Sequence, residues 1–107
     1  MGVEFEIQER DGVVNVALSG DLDVSTARSV EDRLVALEDE QAPAKIVLDL
    51  RELRFIDSTG LSLLINADSR GRKAGRALTI VSGTGAPRRI LETTGLRGRL
   101  DVIEEAD

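Results

Sequence analysis

Residues 46–65, IVLDLRELRFIDSTGLSLLI, join two apolar runs through a polar interruption, and the second run starts at a helix-initiation signal. Ile46-Val47-Leu48-Asp49-Leu50 is short and bounded by polar residues, which predicts a central strand buried on both faces. Arg54-Phe55-Ile56 reads as a brief extended piece. Asp57-Ser58-Thr59-Gly60 then opens a helix that runs to about Gly75, with Asp57 or Ser58 able to cap its first free N–H groups. A buried strand feeding a helix is the unit of a layered α/β fold.

The flanking sequence extends that unit in both directions. Val3-Glu4-Phe5-Glu6-Ile7-Gln8 alternates strictly, placing Val3, Phe5 and Ile7 on one face. Asp11-Gly12 is a hairpin signal, and Val13 to Ser19 follows with Val14, Val16 and Leu18 on one side. Gly20-Asp21-Leu22-Asp23 reads as the end of that strand. A helix capped by Asp23 or Ser25 comes next, with Ala27, Val30, Leu34 and Leu37 as its buried stripe. Glu31, Asp32, Glu38, Asp39 and Glu40 are expected on its remaining surface. Downstream, Ala77 to Val81 is a strand. A third helix starts near Thr84 with Pro87 in its first turn and ends at Thr94-Gly95-Leu96. Leu100 to Ile103 adds a last extended segment before the acidic tail Glu104-Glu105-Ala106-Asp107. The order ββαβ(β)αβα(β) predicts a small mixed β-sheet with helices packed against it, in one domain spanning 1–107.

Composition narrows the chemistry by what it lacks. There is no Cys and no His, so disulfides, thiolate or imidazole catalysis and Cys/His zinc sites are excluded. With no Trp, no Tyr and two Phe, nothing offers a platform for stacking nucleobases. The net charge of −6 opposes binding to a phosphate backbone, so no direct nucleic-acid partner is expected. No apolar run approaches the ~20 residues of a membrane helix, and the acidic start is no export signal. A cytoplasmic binding module with no cofactor and no enzymatic activity is the expectation. Its charge is dipolar: residues 1–50 carry 12 acids and 4 bases, residues 51–107 carry 8 acids and 10 bases. Such asymmetry suits oriented docking to another protein.

Leu61, Leu63, Leu64 and Ile65 cover most of the circumference of the helix that begins at Asp57. Either both sides of it are buried or an apolar patch near Ser58 awaits a partner. A hydroxyl at a helix N-terminus beside apolar surface suits a phosphate switch, because the free N–H groups and the helix dipole tolerate the dianion.

Phe55-Ile56-Asp57-Ser58-Thr59-Gly60-Leu61, with Gly20-Asp21-Leu22-Asp23 upstream, resembles the STAS domain of anti-sigma-factor antagonists, and the likeness extends across essentially the whole chain. The resemblance implies that the unmodified domain binds an anti-sigma factor and so frees a sigma factor. It implies that the same anti-sigma factor is a serine kinase acting on Ser58, with Thr59 the lesser candidate, and that a PP2C-type phosphatase resets the switch. Asp21, Asp23, Asp57, Thr59 and Gly60 match the family's binding surface, and Leu61 is expected in the contact. Arg70-Gly71-Arg72-Lys73-Ala74-Gly75-Arg76 and Arg88-Arg89 match no role there.

Three other readings compete. A receiver domain would use Asp49 as phosphoacceptor, but the acidic pair and late Lys of such domains are missing. Ser82-Gly83-Thr84-Gly85 lacks the Gly-Lys-Ser/Thr of a P-loop, so it reads as a connection capped by Thr84 or Ser82. The strongest alternative is a STAS accessory subunit of a membrane lipid or anion transporter, in which the same helix end docks without phosphorylation.

Overall fold

A computed structural model describes residues 2–105 of the chain, so Met1 and the last two residues of the acidic tail lie outside the described residues. The elements are β1 (Val3–Arg10), β2 (Val13–Leu22), α1 (Ala27–Gln41), β3 (Lys45–Ile56), α2 (Ser58–Ala74), β4 (Ala77–Val81), α3 (Ala86–Thr93), a 3₁₀ turn (Leu96–Gly98) and β5 (Val102–Ile103). The strands lie side by side in chain order. β1 and β2 are antiparallel, and every later neighbour is parallel, as crossovers through helices require. The hairpin turns on Asp11 and Gly12, both with positive φ (55° and 81°), the conformation that a two-residue loop between twisted strands demands.

The core lies on one face of the sheet. Val14, Val16 and Leu18 from β2, Ile46, Leu48 and Leu50 from β3, and Leu78 and Ile80 from β4 form one cluster with α1, α2 and Leu91 of α3. α1 contributes the expected stripe of Ala27, Val30, Leu34 and Leu37. The opposite face of the sheet carries a broad, shallow groove that includes Asn15, Ala17, Val47 and Asp49. The 46–50 run is therefore buried on one face and only half-buried on the other, contrary to the two-sided burial expected from its composition. On β1, Val3 and Phe5 pack against the core edge, whereas Ile7 is exposed.

The 46–50 run and the 54–56 piece are one strand of 12 residues. Two register shifts explain why it reads as two. Ala17 pairs with Asp49 but Ser19 with Glu52, and Gly20 pairs with Leu53 but Asp21 with Phe55. Each shift inserts one extra residue into β3, and each reverses which parity of position faces inward. The buried set is consequently Ile46, Leu48, Leu50, Leu53 and Ile56, which no simple alternation generates. β2 likewise does not stop at Gly20. It stays paired with β3 through Leu22, and the Leu22 carbonyl accepts the Asp57 N–H at 3.2 Å.

Glu38 also departs from expectation. It is buried at 7% exposure, and its carboxylate accepts from Arg70 Nε at 2.8 Å and stands 3.2 Å from an Arg76 terminal nitrogen. Arg70 reaches Glu31 as well, at 3.1 Å. The basic end of α2 is thus largely a clamp between the C-terminal turns of α1 and α2, which is the role its sequence withheld. Arg88 is similarly used, pairing with Glu92 and Glu104. Neither proposed cap of α3 acts as one: Gly85 occupies the cap position, and buried Ser82 donates to the Gly83 carbonyl at 2.9 Å. No described helix is long and apolar enough to cross a membrane.

Candidate functional site

The C-terminal ends of β2 and β3 and the first turn of α2 meet at one end of the sheet. Asp57, in extended conformation, is the N-cap, and its Oδ1 accepts from the N–H groups of Thr59 at 2.9 Å and Gly60 at 3.1 Å. That assignment leaves Ser58 as the first helical residue. Its side chain is exposed and its hydroxyl has no hydrogen-bond partner among the described residues. The capping function and the free hydroxyl are thus divided between adjacent residues.

Gly60 holds this turn against the sheet. A Cβ there would stand 2.7 Å from Ile56 Cγ1 and 3.0 Å from both Cγ and the carbonyl oxygen of Leu22. Only glycine lets α2 approach the strand ends so closely. Leu61, Leu63 and Leu64 are buried in the same core, which resolves the apolar circumference of α2 in favour of burial on two sides; only Ile65 is partly exposed, at 37%.

On the neighbouring β2–α1 connection, Asp23 Oδ1 accepts from the Ser25 N–H at 2.9 Å and the Ser25 hydroxyl at 2.7 Å. The Thr26 hydroxyl accepts the Asp23 N–H at 3.0 Å and donates to the Asp21 carbonyl at 2.8 Å. The bond from the Ser25 hydroxyl is the main reason the Asp23 carboxyl sits below the usual carboxylate range; the Ser25 N–H and Thr26 bonds add to it against a desolvation penalty. Asp23 does not cap α1 directly. The cap position falls on Thr26, and Asp23 and Thr26 instead lock the turn that precedes the helix. The locked turn presents Val24 at 77% exposure.

The residues expected to form a partner surface therefore divide by depth. Ser58 is exposed, and Asp23, Asp57 and Thr59 are half-buried at the rim of this end of the sheet. Asp21, Gly60 and Leu61 are buried, with an Asp21 oxygen 3.5 Å from Arg54. They support the surface from beneath, which corrects the expectation that Leu61 lies in the contact itself. Two apolar residues absent from that set are on the surface instead: Val24, and Phe55 at 50% exposure. The sequence signal for Val24 was a lone aliphatic side chain inside a polar turn, outside any periodic stripe. Val24 and Thr59 line one shallow groove between α1 and α2, with Arg28 and Ser62 on its walls.

Asp49, the receiver-like candidate, is far from free. Both its oxygens engage the Arg51 guanidinium, at 2.9 and 2.7 Å, and that bond holds its carboxyl below the usual range. Among the described residues, no group of three or more carboxylates is placed to hold a metal ion.

Comparison with known proteins accords with this geometry. An anti-sigma-B factor antagonist of Listeria monocytogenes is 35% identical over 107 residues, covering 97% of this chain and 89% of that protein. The crystal structure of an anti-sigma factor antagonist from Mycobacterium paratuberculosis superposes with a TM-score of 0.87 at 28% identity, covering 98% of this chain and 88% of that one. The Bacillus cell fate determinant SpoIIAA, solved in its phosphorylated form, shares the fold at a TM-score of 0.72 and 17% identity, over 95% of this chain and 93% of its own. The STAS domain model matches residues 4–106, nearly the full length, and the chain belongs to the STAS domain family.

Proposed function

We propose that this chain is an anti-sigma factor antagonist, a cytoplasmic module that docks on an anti-sigma factor through the end of the sheet around Ser58 and is released by phosphorylation of that residue. The observation that carries the switch is the exposed, unengaged Ser58 hydroxyl at the first position of α2, with the helix already capped by Asp57. The antagonist relatives support the choice of partner.

Phosphate at Ser58 gains from the N-terminal dipole of α2, so the domain stays folded when modified. Its cost appears on docking. The dianion adds to the carboxylates of Asp57 and Asp23 at a surface that must lose water, beside the apolar Val24 and Phe55. A penalty of about 3 kcal/mol is enough to weaken docking about a hundredfold. The donor is a serine kinase, read here as the anti-sigma factor itself, and a PP2C-type phosphatase restores the hydroxyl. Thr59, half-buried and with its N–H bonded to Asp57, is the lesser acceptor.

The test is direct. Ser58→Ala should bind the anti-sigma factor persistently and accept no phosphate at position 58, while Ser58→Asp should keep wild-type circular dichroism and melting but bind about a hundredfold more weakly. Equal affinities of the two variants for the partner refute the switch.

A further inference from the structure

The other flank of α2 carries a groove that the docking just described does not use. Ile65, Leu96 and Leu100 form its apolar floor, Arg72 and Arg99 stand on its walls, and Asp68 faces Arg72 at 2.8 Å. Its volume is about 470 Å³. It contains the one arginine of the α2 basic end, Arg72, whose guanidinium is mostly exposed and takes no part in the Glu38 clamp. Arg99, also exposed, has no ion pair among the described residues. In a chain of net charge −6, two guanidinium groups over an apolar floor mark a locally cationic site, and screening within a Debye length of ~8 Å lets that local sign prevail over the distant acids.

The groove is continuous with the Ser58 surface. At 1.5 Å per residue, Ile65 lies about 10 Å along α2 from Ser58 and Arg72 about 21 Å. A standard protein interface covers about 800 Å² per partner, a disc of roughly 16 Å radius. A contact centred on Ser58 therefore reaches past Ile65 and brings Arg72 and Arg99 to its rim.

We infer that this groove receives an acidic segment of the same anti-sigma factor, one bearing an apolar side chain that seats on Ile65, Leu96 and Leu100 between carboxylates that meet Arg72 and Arg99. The inference rests on the docking reading proposed above. It assigns the second epitope a distinct task. The Ser58 end decides whether the complex persists; the groove, remote from the hydroxyl, holds modified and unmodified chains alike and so acts on encounter and on apparent affinity for the kinase.

The experiment uses the full chain and the anti-sigma factor that co-purifies with its Ser58→Ala variant, purified and supplied with ATP. Initial rates of Ser58 phosphorylation are measured for wild type, Arg99→Glu, Ile65→Asp and Lys73→Glu. The last makes the same charge change as Arg99→Glu at an exposed residue of α2 outside the groove. The expected result is a KM raised about tenfold in Arg99→Glu and Ile65→Asp with kcat unchanged, as removal of uniform binding requires, and near-wild-type behaviour in Lys73→Glu. Raising the salt from 50 to 300 mM should narrow the gap between wild type and Arg99→Glu. Equal KM in all four proteins, or an equal loss in Lys73→Glu, overturns the groove while leaving the Ser58 switch intact. Failure of the wild-type chain to be phosphorylated at all removes the switch, and this inference with it.

Discussion

Replacing Gly60 by Ala should destabilise the domain although alanine is the better helix former. Two opposed effects set the magnitude. In a helix interior, Ala is favoured over Gly by about 1 kcal/mol. Against that, the new methyl would lie 2.7 Å from Ile56 Cγ1 and 3.0 Å from the Leu22 carbonyl oxygen. Ile56 is buried and cannot simply swing away, and the carbonyl belongs to paired backbone that accepts the Asp57 N–H. Overpacking of this kind costs about 1–3 kcal/mol. Because two of the three contacts involve Leu22, on a fully buried strand end, the upper part of that range applies, and a net loss of about 1–2 kcal/mol remains after the propensity gain. For a domain of this size, that lowers the melting temperature by roughly 4–12 °C. Thermal unfolding followed at 222 nm measures it. Gly98→Ala is the comparator: nothing lies within 4 Å of a Cβ there, so its melting should stay near wild type. A Gly60→Ala protein as stable as wild type would refute the reasoning, because it would mean that α2 does not press on the strand ends.

Three further outcomes are expected. Glu38→Ala should cost about 3 kcal/mol in urea unfolding, the low end for breaking a buried ion pair, since Arg76 is left nearly buried without a partner while Arg70 retains Glu31 and some solvent. Asp57→Ala should cost about 0.5–2 kcal/mol by removing the cap from Thr59 and Gly60, with Asp57→Asn recovering most of it. The Asp23 carboxyl, held below the usual range first by the Ser25 hydroxyl, contributes stability that is present above the unfolded-state value and is lost as pH falls through the folded one; in Ser25→Ala the carboxyl resonance should titrate at higher pH.

Much of the fold was legible because the chain states its periods openly. Val14, Val16 and Leu18 alternate, Ala27, Val30, Leu34 and Leu37 recur at helical spacing, and Asp11-Gly12 names its own turn. β3 was misread at the two points where an inserted residue reverses the inward parity, an event invisible without the neighbouring strand. Glu38 looked like one more surface acid because Arg70, the residue that makes its burial tolerable, lies 32 positions away. At the site, Ser58 and Asp57 were legible from the grammar of helix starts, but their division of labour was open until the Asp57 oxygen could be located. Depth was the hardest property to read. Leu61 and Gly60 look like contact residues in a motif, yet they are packed inside, and Val24 and Phe55 take the surface because the turn and the strand end leave them nowhere else to go.

The paired insertions in β3 make the strand behave like a ratchet with two teeth. Loss of one residue between Leu50 and Arg54 would leave the sheet pairing but turn Ile56 toward water and swing the peptide that carries Asp57 to the wrong side of the sheet. Loss of two residues, one at each shift, would restore the facing and shorten the strand by only about 7 Å. Length variation in this segment is therefore tolerable in even steps and damaging in odd ones, an arithmetic constraint on how such a surface can drift while Ser58 still points at its partner.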